Sequence, residues 1–192
     1  MSHLICFYAD AEQSGKSTCA KFLIEEGYEH VAFASPLKAM IHALLVDAGV
    51  PAPSRFVWGH EKNEPIHQLG GVTARHLMQT LGTEWGRNID VNFWVNLGYQ
   101  RIDRLLQSGQ NVVIDDARFT NEATALRERG CQFVKVVRPG VKASHGHSSE
   151  GGLSNWAADD VVVNDGTVGQ LRHRVEAIKH NWFTTTIPLF GV

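Results

Sequence analysis

The sequence predicts an α/β protein in which a parallel sheet carries helices on both faces. Three observations support that class. Short apolar runs of strand length occur at LICFY (4–8), NVVID (111–115) and FVKVV (133–137), of the type that forms strands buried on both faces. Stretches with helical spacing of apolar residues separate them, so strand and helix alternate along the chain. The 192 residues, 43% hydrophobic and 20% charged, are enough to bury a core without disulfides or a structural metal.

Each element has its own signal. After the strand at 4–8 come a polar loop and a helix over 16–26, with Ala20, Phe22, Leu23 and Ile24 as its apolar positions. A second strand is expected over 30–34. It runs into Ser35-Pro36, where serine caps a helix and proline in the first turn sacrifices no hydrogen bond. That helix extends to about Asp47. From 49 to 71 the composition shifts to Pro, Gly, His and charge, which reads as a surface excursion. Further helices are expected over 73–81, 91–106, 121–129 and 168–178, with a strand over 161–163. The expectation is a single domain over 1–192, with a substrate-binding excursion near 35–96 and a lid-like, glycine- and histidine-rich loop near 138–153. Ligands belong at the carboxyl ends of the strands.

Composition sets further bounds. Eighteen Lys plus Arg stand against 20 Asp plus Glu, a net charge of −2, too balanced for a protein that coats a nucleic acid polymer or an anionic membrane. Cys6, Cys19 and Cys131 are scattered, with neither metal-ligand nor disulfide spacing, and read as reduced core residues. No apolar run approaches the ~20 residues of a membrane helix, and the start MSHLICFYADAE lacks a signal-peptide pattern. A cytoplasmic protein is therefore expected.

The informative segment is DAEQSGKST (10–18), set against the phosphate-loop pattern Gly-x-x-x-x-Gly-Lys-Ser/Thr. It lies between an apolar strand and an amphipathic helix, so backbone N–H groups and the positive end of the helix converge on a polyphosphate. Ser14, Gly15, Lys16, Ser17 and Thr18 form the candidate loop. Lys16 would reach the β and γ phosphates, and Ser17 would place its hydroxyl on Mg²⁺. Asp10 departs from the pattern by standing where the first glycine belongs. Its carboxylate would repel phosphates if it pointed inward, so the expectation is a side chain turned to solvent.

Such a loop needs a carboxylate at the end of a neighbouring strand, and NVVIDD supplies Asp115 and Asp116. Strand side chains alternate, so one of the pair faces the phosphates. Asp116, nearer Arg118, is the favoured metal carboxylate. Arg75, Arg87, Arg118 and Arg138 fall near predicted element ends, where guanidinium forks neutralise two reacting anions. Trp85, Phe93, Trp94 and Trp156 are candidates for stacking on a base, although helical aromatics more often serve a core. His145 and His147, near Glu150, lack a companion pair with zinc spacing.

Taken together, ARHLMQTLGTEWGR (74–87), NFWVN (92–96), DDARFTNEA (115–123), VVRPG (136–140), HSSEGGL (147–153) and VVNDGT (162–167) resemble, in order and spacing, the bacteriophage-type deoxynucleoside monophosphate kinases. FASPLK (33–38) is similar to that family's segment after the second strand. The resemblance spans about 4–178. It implies a phosphate-loop NTPase fold of the nucleoside monophosphate kinase type, with transfer of the γ-phosphate of ATP to a deoxynucleoside 5′-monophosphate and Mg²⁺ as cofactor.

Carried over position by position, the resemblance matches Gly15, Lys16, Ser17 and Thr18 to the ATP-phosphate loop, puts Lys38, Arg75, Asp116, Arg118 and Arg138 in the blocks expected to line the substrate and phosphate sites, and matches His147 and Glu150 to the loop after the fifth predicted strand. With the residue readings above, Ser14 joins the ATP-phosphate loop and Ser17 and Asp116 would hold the metal. Lys38, Arg75, Arg87, Trp94, Arg118, His147 and Glu150 would bind substrate, and Lys16, Arg118 and Arg138 would act in transfer. Ser17 stands where family members often carry Asp.

The attacking acceptor phosphate has a second pKa of ~6, so no protein base is required. A phosphate-loop kinase for another small molecule, such as dephospho-coenzyme A, is the first rival, and a non-catalytic ATP-binding regulator is the second. The resemblance is compatible with a homodimer, in which the apolar tail TTTIPLFGV (184–192) is either core or contact surface.

Overall fold

The structure is a computed structural model and describes residues 2–141 and 152–184. The chain divides into two compact units, one made of Met1–His30 with Arg104–Val192 and the other of Val31–Asp103.

The first unit is built on five parallel strands: β1 (Leu4–Tyr8), β2 (Glu29–His30), β5 (Val112–Ile114), β6 (Gln132–Val137) and β7 (Asp160–Val163), in the spatial order β2-β5-β1-β6-β7. All five residues of β1 are buried, which is why its sequence is apolar throughout rather than alternating. Ile5 and Phe7 face one layer, where α1 (Lys16–Glu25) and α8 (Val168–Thr184) supply Cys19, Ala20, Phe22, Leu23, Leu171 and Val175. Each of the larger side chains, Ile5, Phe7, Phe22, Leu23, Leu171 and Val175, contributes about 1.5–3 kcal/mol on leaving water.

On the opposite face Tyr8 meets Phe133 edge to face at 6.1 Å, and Trp156 lies 5.4 Å from Phe133. There α7 (Thr120–Arg127) brings Arg127 over the Phe133 ring at 4.7 Å, and Arg127 Nη1 also donates to Asp159 Oδ1 at 2.7 Å. The parallel sheet with helices on both faces is as the sequence predicts.

The second unit holds α2 (Ser35–Asp47), α3 (Ser54–Val57), an antiparallel pair β3 (Pro65–Ile66) and β4 (Val72–Thr73), α4 (Ala74–Gln79), a π-helical turn (Thr80–Gly86), α5 (Arg87–Ile89) and the start of α6 (Phe93–Gln107). Its core gathers Ile41, Leu45, Val50, Val57, Ile66 and Ala74. Segment 49–71 is therefore more than a surface excursion, because Val50, Val57 and Ile66 are buried.

Several boundaries differ from expectation for physical reasons. The second strand stops at His30, because a turn in which Ser35 donates to the Ala32 carbonyl at 3.1 Å takes the chain out of the sheet. Ser35 is the first helical residue rather than the cap, a place Ala34 takes without a side-chain bond. Thr73 caps α4 by accepting from His76 N at 3.2 Å, and the helix continues past Gln79 in π register. Helix α8 runs to Thr184, six residues beyond the predicted end.

Candidate active site

The loop between β1 and α1 has the backbone of an anion cradle. Gln13 and Gly15 take positive φ, 58° and 105°, so successive N–H groups turn inward. The first helical bond runs from Cys19 N to Gly15 O at 3.0 Å, which leaves the N–H groups of Lys16, Ser17 and Thr18 ahead of the ladder. Buried Ser14 donates through Oγ to Ala11 O at 2.5 Å and so ties the loop to itself. Lys16 Nζ folds back to 3.4 Å from the same carbonyl. Burial, and then the Arg118 guanidinium, push the Lys16 pKa down, while Asp115 and Glu12 oppose the shift.

Two residues outside the loop complete it. Arg138, at the end of β6, donates through Nη1 to Gln13 O at 3.2 Å. Asn164, just after β7, donates through Nδ2 to Ser14 O at 3.0 Å. A Cβ on Gly15 would come within 2.6 Å of that Nδ2, so glycine is required there by close approach as well as by φ. Residues 13–18 with Arg138, Asn164, Gly166, Val168 and Leu171 line a cavity of about 350 Å³, within the usual range for small-molecule sites. The loop residues among them, 13–15, Arg138, Asn164 and Gly166, follow the carboxyl ends of β1, β6 and β7.

At the end of β5, Asp115 is the carboxylate whose charge acts on Lys16. Its Oδ1 lies 2.7 Å from His30 Nε2. Asp116, the metal carboxylate that sequence reasoning favoured, follows it directly in the chain. Next along the chain, buried Glu122 accepts through Oε2 from the backbone N–H groups of Arg118 at 2.7 Å and Phe119 at 3.0 Å, which fixes the turn that presents Arg118. A Cβ on Gly152 would meet the Arg118 carbonyl at 2.4 Å, so the chain returns closely against that turn.

The structure corrects two expectations. Asp10 is not simply turned to solvent, because its Oδ2 pairs with Lys135 Nζ at 2.8 Å. Trp94 is 4% exposed, donates its indole N–H to Gly82 O at 2.8 Å and stacks at the edge of Phe93, so it serves the core of the second unit rather than a base.

Lys38, Arg75 and Arg87 also belong to the second unit. There Arg75 N donates to Lys62 O at 2.8 Å and Arg87 Nη1 to Val91 O at 3.3 Å. His147 and Glu150 lie outside the described residues, as does most of segment 138–153. Sequence reasoning missed Asn164, which lines the cavity, and Lys135, which pairs with Asp10 beside the loop. The signal for the first was its place in VVNDGT directly after a strand, and for the second a lone charge inside FVKVV.

This combination of a phosphate loop after the central strand, a lysine in the first turn and a strand-end carboxylate defines the class as a phosphate-loop kinase fold. Dephospho-CoA kinase from Campylobacter jejuni shares that fold, with a TM-score of 0.51 at 14% identity over 97% of this chain and 100% of the other.

The chain belongs to the deoxynucleotide monophosphate kinase family, whose pattern it matches over residues 60–175. It is 33% identical over 157 residues to the deoxynucleotide monophosphate kinase of Enterobacteria phage T4, covering 80% of this chain and 64% of the phage protein. A protein of Acanthamoeba polyphaga mimivirus that carries the same name provisionally is 29% identical over 177 residues, 84% of this chain and 89% of its own. The chain thus spans less than two thirds of the phage T4 protein.

Proposed function

We propose that this chain transfers the γ-phosphoryl group of ATP to a deoxynucleoside 5′-monophosphate. A non-bridging oxygen of the acceptor phosphate forms the new bond to the γ-phosphorus, the bond from that phosphorus to the β–γ bridging oxygen breaks, and ADP leaves with the electron pair. The observation that carries the reading is the convergence of Lys16, the free N–H groups opening α1, Arg138 and Asn164 on one cavity of about 350 Å³, in a member of this family.

Catalysis of this kind is positioning plus charge neutralisation, which is what cations and backbone donors supply. Lys16 and the loop N–H groups hold the donor phosphates. Arg138 fixes the loop through Gln13, and Arg118, held by Glu122, meets the charge that moves between donor and acceptor. Lys38, Arg75 and Arg87 are assigned to acceptor binding.

The donor set suits Mg²⁺. Ser17 is exposed in the first turn of α1, and Asp115 and Asp116 directly follow β5, so the candidate ligands are the hard oxygens that this ion prefers. When bound, the ion would neutralise charge on the β and γ phosphates.

A coupled assay with ATP, Mg²⁺ and each deoxynucleoside monophosphate in turn tests the reading. Diphosphate formation is expected with at least one acceptor, together with a loss of about 10²-fold or more in Lys16→Met. ATP hydrolysis that ignores every monophosphate would refute it.

A further inference from the structure

Asp10 puts a carboxylate where the loop pattern has glycine, one residue before the carbonyl on which Lys16 Nζ and Ser14 Oγ converge. Left alone, such a charge would repel polyphosphate and compete for Lys16. The sheet supplies a remedy. In the β1–β6 pairing Lys135 stands opposite Tyr8, so the two side chains share a face, and Asp10 lies two residues further on. The Lys135 stem crosses Tyr8, with Nζ 6.0 Å from the ring centroid, and ends 2.8 Å from Asp10 Oδ2 and 3.4 Å from Ser154 O. Asp10 Oδ1 is buried without a hydrogen-bond partner among the described residues, so Lys135 alone carries the pairing of this carboxylate there.

We propose that Lys135 is a positioning residue of the phosphate loop: it holds and neutralises the Asp10 carboxylate, leaving Lys16 and the loop N–H groups to the phosphates. The proposal rests on the ATP-binding reading of that loop.

The test is ATP and tripolyphosphate binding, with steady-state kinetics, on wild type, Lys135→Met, Lys135→Arg, Asp10→Gly, Asp10→Asn and the Asp10→Gly/Lys135→Met double variant. Lys135→Met is expected to weaken ATP binding about tenfold or more while kcat at saturating ATP stays within about threefold. Lys135→Arg and the double variant should return to within about threefold of wild type, since one keeps the pair and the other removes both charges. Asp10→Gly and Asp10→Asn should bind ATP no more weakly than wild type.

Unchanged affinity in Lys135→Met, or a double variant as weak as that single one, overturns the proposal. So does a tenfold loss in Asp10→Asn, which also decides the matter if Lys135→Met does not fold. A wild-type protein that binds neither probe, or binds them equally well after Lys16→Met, would instead mark failure of the ATP reading itself.

Discussion

Lys16 carries its charge against two opposing effects, burial and the nearby Arg118 guanidinium, and its pKa lies below the ordinary lysine value. Polyphosphate favours the charged form and raises that pKa again. Affinity is therefore complete below the depressed value and falls as pH rises through it toward the pKa of the complex. Calorimetry in two buffers of different ionisation enthalpy should show proton uptake on ATP binding that grows as the pH is raised from neutrality toward the ordinary lysine range, and no such growth in Lys16→Arg. Uptake that does not change with pH would contradict the assignment.

Much of this loop was legible in the sequence, because 14–18 form a contiguous motif whose chemistry is local. Lys135 and Asn164 were not, since they enter through strand register and a return across more than a hundred residues. Which of Asp115 and Asp116 faces the phosphates is not legible for a similar reason. Strand alternation says that Asp115 and Asp116 diverge, but the direction depends on where β5 meets its neighbours.

Between α4 and α5 the chain leaves α-helical register over Thr80–Gly86, and the Trp94 indole N–H bonds the Gly82 carbonyl. Gly86 lies flat against the same ring, where a Cβ would sit 2.4 Å from Nε1. Gly86→Ala is expected to cost about 1–3 kcal/mol through overpacking, and Trp94→Phe a similar amount through the lost bond and volume. The two effects should be less than additive in the double variant, read by urea unfolding. Strict additivity would mean that ring and glycine do not support each other. A helix over 73–81 was legible from its apolar spacing, but the wider turn was not, because period 3.6 describes only the α register.

At the scale of the whole molecule, Cys6, Cys19 and Cys131 are all free and buried, as their scattered positions predicted. Burial raises the pKa of all three thiols, that of Cys19 to about 12, and Cys131 adds to the rise at Cys6. All belong to the unit that carries the phosphate loop. Labelling by an aromatic disulfide should therefore proceed about 10³-fold or more slowly than in denaturant, with all three reacting at one rate set by unfolding of that unit. A thiol that reacts fast in the native protein would show a local opening. The alternation of strands and helices made the parallel sheet legible. The second unit's own core was not, since Val50, Val57 and Ile66 are separated by Pro-, Gly- and charge-rich stretches that show no helical or strand period.

The strand order has a consequence for the chain as it is made. Strand β1 leaves the ribosome well before its two neighbours, β5 and β6, which are translated about a hundred residues later. At ordinary elongation speeds that delay is on the order of 5–20 s, during which LICFY is apolar and unpaired. A newborn chain of this design should thus be a client for holding factors until residue 137 has emerged, and a stalled ribosome before that point should yield aggregate rather than a partly active product.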